Sequence, residues 1–351
     1  MDKNINLHSL LDRNALPDML ATVNVGKMLE QSLQYLFNGE LVQARHVCEK
    51  ILLQNNNDPM ALLTMGIIEL QDGNCEQAIN YLMCVLRTQP DNLAANFNLA
   101  KALLLAKQYP LAEKAYTKVL RIRPSMALAH LGLGQALGYT GRFQDALQNL
   151  EQALEQQDEL SPNDIGVAWA HKGMVQGALE QPEAALLSFE KAIGYIPQLA
   201  YPYLGRAKVQ YVLGHHDAAI QSAQQSIEID PKNAAAHFLL GMFIGALHRH
   251  KDALQCFDQA VALAPEFADV YYERGRTYAL MNEYGKAARD FMRALAISPN
   301  HVYYLHGLGN AFVAGKLYGS ALKVFARAAE LHPEYAYVTN MKTNLERQLS
   351  Q

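Results

Sequence analysis

Two pairs of histidines are the first residues whose type and spacing suggest chemistry. His216 and His250 lie 34 residues apart, with His215 and His248 beside them. Imidazoles that converge bind zinc, nickel or copper. No carboxylate or cysteine stands at ligand spacing next to them, so the set is incomplete as a zinc site. The other reading makes them solvated turn residues and packing residues and leaves the protein without metal or cofactor. Cys48, Cys75, Cys84 and Cys256 contain no CxxC pair and read as buried, reduced thiols. No GxSxG, P-loop or HExxH pattern occurs, so no catalytic residue is expected. A second kind of chemistry is recognition. Tyr201, Tyr272 and Tyr303, with Lys208 and Arg276, suit an extended segment held by phenols and by a cation on a carboxylate.

Composition narrows the partners. The chain has 351 residues, 50% hydrophobic and 18% charged, with a net charge of −4. Disorder as the main state is excluded. With no basic excess, nucleic acid is not an expected partner. The opening MDKNINLHSLLDRNALPDML has no secretory pattern. No run of 18 apolar residues is present, so no membrane insertion is expected. A cytoplasmic location follows as an expectation, and unpaired thiols fit it.

The elements that position these residues are legible from proline and alanine. Prolines fall at 90, 124, 197, 231, 265, 299 and 333, at intervals of 34 except for one of 73, two periods and an insertion of five residues. Twelve residues before each stands an alanine: Ala78, Ala112, Ala185, Ala219, Ala253, Ala287 and Ala321. Ala44 and Ala146 hold the same phase. Twelve residues earlier again stands a small residue: Ser32, Gly66, Ala100, Gly134, Gly173, Ala207, Gly241, Gly275 and Gly309. Small residues on facing helices let backbones approach closely. Each unit therefore reads as two helices joined by a short turn, often glycine (Gly39, Gly73, Gly141, Gly214), and stacked on its neighbours.

The pattern resembles the tetratricopeptide repeat, W-x2-LG-x2-Y, A-x3-F, P in 34 residues. Residues 268–301 supply Tyr271, Gly275, Tyr278, Ala287, Phe291 and Pro299, and residues 166–199 supply Trp169, Gly173, Ala185, Phe189 and Pro197. The resemblance covers nine repeats and implies an all-α fold, a right-handed superhelical α-solenoid of stacked helix-turn-helix repeats. A 35-residue period and a basic groove, as in pentatricopeptide RNA binders, do not fit. Lys172, Arg206 and Arg274 stand where the family has leucine, and their stems are expected over the core edge. Ala223 and Ser226 thin the sixth repeat, which is expected to be the weakest link.

Five segments follow. Residues 1–24 precede the array as a cap, or as a segment that enters a groove or supports self-association, with Leu7, Leu10 and Leu11 as its apolar stripe. Residues 25–160 hold repeats one to four. Residues 161–165 are an insertion, read either as a longer loop with a helix cap or as a hinge. Residues 166–335 hold repeats five to nine. Residues 336–351 form a capping helix with Val338, Met341, Leu345 and Leu349 on one side.

The resemblance also implies that first helices line the concave face. With Val25 as position 1, positions 2, 5, 6, 9, 12 and 13 face the groove. The N-terminal half then presents Leu63, Ile67, Phe97, Leu104 and Leu131 with Asn98, Lys101 and Gln135. The C-terminal half presents Tyr201, Lys208, Tyr211, Phe238, Tyr272, Arg276, Tyr303, His306 and Asn310. Gly132, Gly205 and Gly307 at position 6 would let a ligand backbone come near. The alternative for the leucines and tyrosines is inter-repeat core. No lysine occupies position 5, so the family's clamp for chaperone C-termini is not expected, and Asn98 alone does not make an asparagine ladder. The expected function is a non-catalytic scaffold that binds a peptide or amphipathic helix of another protein. The alternative is an accessory or regulatory subunit of a glycosyltransferase, secretion or envelope-assembly complex.

Overall fold

The computed structural model describes residues 23–349. The roles expected for the N-terminal extension fall on residues 1–22, outside those described; Val23 and Asn24 already belong to the first helix. Helix α1 (Val23–Asn38) pairs with α2 (Leu41–Gln54), α3 (Pro59–Gln71) with α4 (Cys75–Thr88), α5 (Leu93–Leu105) with α6 (Tyr109–Ile122), and α7 (Ala127–Tyr139) with α8 (Phe143–Glu155). After a 3-10 turn at Gln157–Glu159, α9 (Pro162–Ala178) pairs with α10 (Pro182–Tyr195). These form the first of two compact units, which divide between Pro197 and Gln198. In the second, α11 (Ala200–Val212) pairs with α12 (His216–Ile229), α13 (Ala234–Ala246) with α14 (His250–Leu263), α15 (Ala268–Leu280) with α16 (Tyr284–Ile297), and α17 (Val302–Ala314) with α18 (Tyr318–Leu331), followed by α19 (Ala336–Leu349). Within each unit every second helix also packs on the next first helix. The fold is an all-α solenoid of helical hairpins.

Local chemistry explains where the hairpins start and bend. Asp58 accepts from the backbone N–H groups of Met60 and Ala61 ahead of Pro59, and Asn92 and Asn233 cap α5 and α13 in the same way. Position 15 of every hairpin turn is left-handed. Glycine fills it at Gly39, Gly73, Gly141 and Gly214, while Lys107, Glu180, His248, Asn282 and Lys316 adopt φ of 57–62°. A side chain there costs about 1–2 kcal/mol, so tertiary packing, rather than residue preference, imposes the turn in five repeats.

Packing bears out the small-residue pairs. All nine alanines at position 20 are fully buried. A Cβ added to Gly66 would stand 2.7 Å from Leu82, one at Gly241 2.7 Å from Phe257, and one at Gly309 2.5 Å from Phe325. The large residue at position 24 therefore lies flat on the small one at position 8. In the sixth repeat that partner is only Ala223, and a polar network takes up the space. Arg206 Nε donates to Ser222 Oγ (3.0 Å), Ser222 donates to Gln210 (2.7 Å), and Ser226 donates to the Ala200 carbonyl (3.0 Å). At the far end Val338 and Leu345 of α19 close the last layer against Leu305 and Phe325.

Two departures from the repeat have structural consequences. The insertion adds a helical turn: Ser161 caps α9, Pro162 occupies its first turn, and α9 has 17 residues where the first helices of the neighbouring repeats have 13. The cations at position 7 reach further than expected. Lys172 pairs with Glu151 of the preceding repeat (2.9 Å). Arg274 pairs with Asp258 of the preceding repeat (2.7 Å) and, through two nitrogens, with Asp290 of its own. Each also lies over the aromatic ring three residues before it, Trp169 or Tyr271. Asp290 is 9% exposed at its side chain. Asp290→Ala should therefore cost about 1.5–3 kcal/mol in urea unfolding, because Arg274 loses its bidentate partner and keeps only the exposed Asp258. Glu151→Ala, whose carboxylate is 46% exposed, should cost less than about 1 kcal/mol.

Candidate functional site

In the first unit, α5, α6, α7, the 3-10 turn and the start of α9 enclose a pocket of about 520 Å³. Its apolar lining includes Phe97, Met126 and Leu131, each buried, with Leu104 and Leu105 at the side. The Arg123 guanidinium, which has a contact of its own, lines the same space, as do three further polar groups: Lys101, Tyr116 and Gln135. None of the three has a hydrogen bond or ion pair among the described residues. Burial pushes the Lys101 ammonium below the usual lysine range, and Asp164 partly counters this. Burial pushes the Tyr116 phenol above its usual range. Asp158, Glu159, Ser161 and Asp164 complete the polar wall.

In the second unit, α15, α16 and α17 enclose a pocket of about 320 Å³. It brings together Tyr272, Arg276, His306 and Asn310, four of the residues expected from sequence. Arg276 pairs with Glu273 at 3.0 Å and lies over the Tyr272 ring. Asn310 Nδ2 donates to His306 Nε2 at 2.7 Å, which fixes the neutral tautomer with hydrogen on Nδ1. The His306 ring meets Tyr337 of α19 edge-on at 4.7 Å, and burial lowers its pKa.

Other expected residues are differently employed. Leu63 and Ile67, at positions 5 and 9, are 2% and 6% exposed and belong to the core, because the stack of neighbouring helices closes over them, whereas the equally buried Phe97 and Leu131 form part of the first pocket's floor. Asn98 is buried, and its amide donates to the Ala94 carbonyl of its own helix. Tyr211 stacks on Phe243 at 4.7 Å, and Phe238 packs against Phe257 and Phe267. Tyr201 is half-buried, while Lys208 and Tyr303 are exposed; none of the three lines either pocket. Gly132 and Gly307 do not open the backbone to a ligand. A Cβ there would stand 2.2 Å from Tyr116 and 2.7 Å from Phe291, so the glycines receive those rings. The candidate metal set of His215, His216, His248 and His250 is not supported: among the described residues no group of three His, Cys, Asp or Glu could hold an ion. His216 sits against Tyr211 as a packing residue, and His248 and His250 meet edge-on in the turn. No helix among the described residues is long and apolar enough to cross a membrane.

Sequence reasoning missed Tyr116 and the acidic wall. Tyr116 occupies the aromatic position of the repeat and reads as core; its hydroxyl opposite a glycine was the available signal. Asp158, Glu159 and Asp164 lie in and beside an insertion whose helical form a periodic reading does not reveal.

Sequence models of the tetratricopeptide repeat family match residues 63–127, 125–198, 200–233 and 268–301, together more than half of the protein. The chain belongs to the tetratricopeptide repeat family. No curated protein matches it. Among solved structures, it is similar to a chain of the APC/C hetero-tetramer Cut9–Hcn1, at 16% identity over 91% of this chain and 62% of that one, with a TM-score of 0.61. It is also similar to a tetratricopeptide repeat protein from Parabacteroides merdae, at 17% identity over 73% of this chain and 99% of that one, with a TM-score of 0.56. YrrB, a TPR protein with an unusual peptide-binding site, is 24% identical over 55% of this chain and 97% of its own, with a TM-score of 0.43. The first two likenesses show the shared solenoid fold.

One titratable residue near the first pocket makes the unit sensitive to acid. His171 of α9 is buried edge-on to Tyr139, and burial holds its pKa down to about 4. The unfolded polypeptide takes up this proton near pH 6.5. Between those values the unfolded state binds more protons, so stability is full above about pH 6.5 and falls as pH drops toward 4. The loss should reach roughly 3 kcal/mol at most, and chemical unfolding of His171→Leu at a series of pH values should show that slope removed.

Proposed function

We propose that the protein is a scaffold that holds a segment of another protein against the first helices of its repeats. Membership of a family of protein-interaction repeats supports the reading. The observation that carries it is the first-unit pocket, where Lys101, Tyr116 and Gln135 border an apolar floor without partners of their own. Donors that are left open beside an apolar floor are available to the acceptors of a bound segment. The second-unit pocket supports the same reading with Tyr272, Arg276, His306 and Asn310. Leu105 and Leu280, 53% and 66% exposed, border the two pockets and would cover the segment's apolar side chains.

A photo-crosslinking residue introduced at Leu105 or Leu280 should capture a partner polypeptide. The same residue at Leu187, exposed on second helix α10 and outside both pockets, should not. Capture from Leu187 alone, or equal capture from all three sites, would remove the first-helix face from the function.

A further inference from the structure

The inference here rests on that reading and concerns the chemistry of what enters the first-unit pocket. Tyr116 is 2% exposed, and its hydroxyl has no acceptor among the described residues although it lines the pocket. It lies across Gly132, where a Cβ would stand 2.5 Å from the oxygen, so the glycine is needed to seat the phenol. The equivalent position in the other eight repeats is Cys48, Leu82, Leu150, Phe189, Ala223, Phe257, Phe291 or Phe325. A hydroxyl therefore stands at this core position in one repeat only, and that repeat borders the pocket. Lys101 adds an ammonium that is half-buried and has no ion pair, and Gln135 adds an amide with two free N–H groups. Three donors with nothing to donate to border one apolar floor.

The acids of the lining come from other elements than these donors. Asp158 and Glu159 come from the 3-10 turn, and Asp164 from the turn that the insertion adds to α9. Asp164 is already engaged by the Ser161 hydroxyl at 2.7 Å. With Lys101 and Arg123 set against three carboxylates, the lining disfavours a phosphate or a run of acids more than a ligand with a single negative group. The donor set is also distinct from a clamp with lysine at position 5. Here the lysine is at position 9, and a phenol from the second helix assists it.

We infer that this pocket binds a single carboxylate carried beside an apolar side chain of a partner peptide, with Lys101 as its counter-charge, Tyr116 and Gln135 as further donors, and the insertion as the wall that limits negative charge. The side chain of an aspartate or glutamate and the terminal carboxylate of a peptide offer the same group.

The test is selection of random heptapeptides against the full-length protein, followed by fluorescence anisotropy with the resynthesised peptides. Selected peptides should carry an acid next to an apolar residue. Changing that acid to its amide, or Lys101→Met in the protein, should each weaken binding at least about tenfold, the scale of a charge-assisted hydrogen bond. Both together should add little, since they remove the same contact. Loss on amidation of the peptide's terminal carboxylate assigns that group, and loss on Glu→Gln or Asp→Asn assigns the side chain; either supports the inference. The double variant Asp158→Asn, Glu159→Gln should raise affinity for peptides with two acids. Peptides selected without any acid, or acid-bearing peptides indifferent to Lys101→Met in a protein of unchanged helical circular dichroism, overturn the inference and leave the scaffold reading standing. If no peptide is selected at all, the scaffold reading falls with it.

Discussion

The near approach of two backbones inside each hairpin is the constraint on which the rest of this molecule depends. Position 20 is alanine in all nine repeats and fully buried in each. Position 8 is glycine, alanine or serine. At that separation the side chain at position 24 has one place to go, flat across position 8, and a Cβ on the glycines would overlap it. Overpacking of this kind typically costs about 1–3 kcal/mol, and a repeat unable to close also fails its neighbour. The sixth repeat keeps the spacing with small residues throughout and fills the layer with hydrogen bonds from Arg206 and Ser222. Close contact is preserved while its chemistry changes.

A perfectly regular stack would seal its own joints, and the candidate site exists because two irregularities meet. A tyrosine replaces the usual core residue of the third repeat and rests on a glycine of the fourth. An added turn of α9 then places carboxylates beside the opening. Each change is small in sequence. Together they leave a cavity whose unpaired donors and whose carboxylates come from different elements.

The hairpin array was legible from seven phased prolines and a ladder of alanines, because helix geometry forces such spacing to recur. So were Lys101, Gln135, Tyr272, Arg276, His306 and Asn310 as lining residues, since position in the repeat dictates the side a residue occupies. Depth was not legible. Periodicity places Leu63 and Asn98 on the first-helix face but does not tell whether the next helix closes over them, and it does. The histidines failed for a related reason. Neighbouring turns repeat in sequence, yet each imidazole pairs with a ring of its own turn, His216 with Tyr211 and His250 with His248. The insertion read as loop or hinge because a capping serine followed by proline announces a helix without saying that it runs unbroken into the repeat's own first helix.

The pairing of position 7 with the previous hairpin has a bearing on ancestry and engineering. Lys172 depends on Glu151, and Arg274 depends on Asp258. These modules are therefore not interchangeable beads. Each such cation reaches into the neighbour before it, so shuffling, deleting or duplicating a module would break that contact at the new junction, leaving Lys172 without its carboxylate and Arg274 with Asp290 alone.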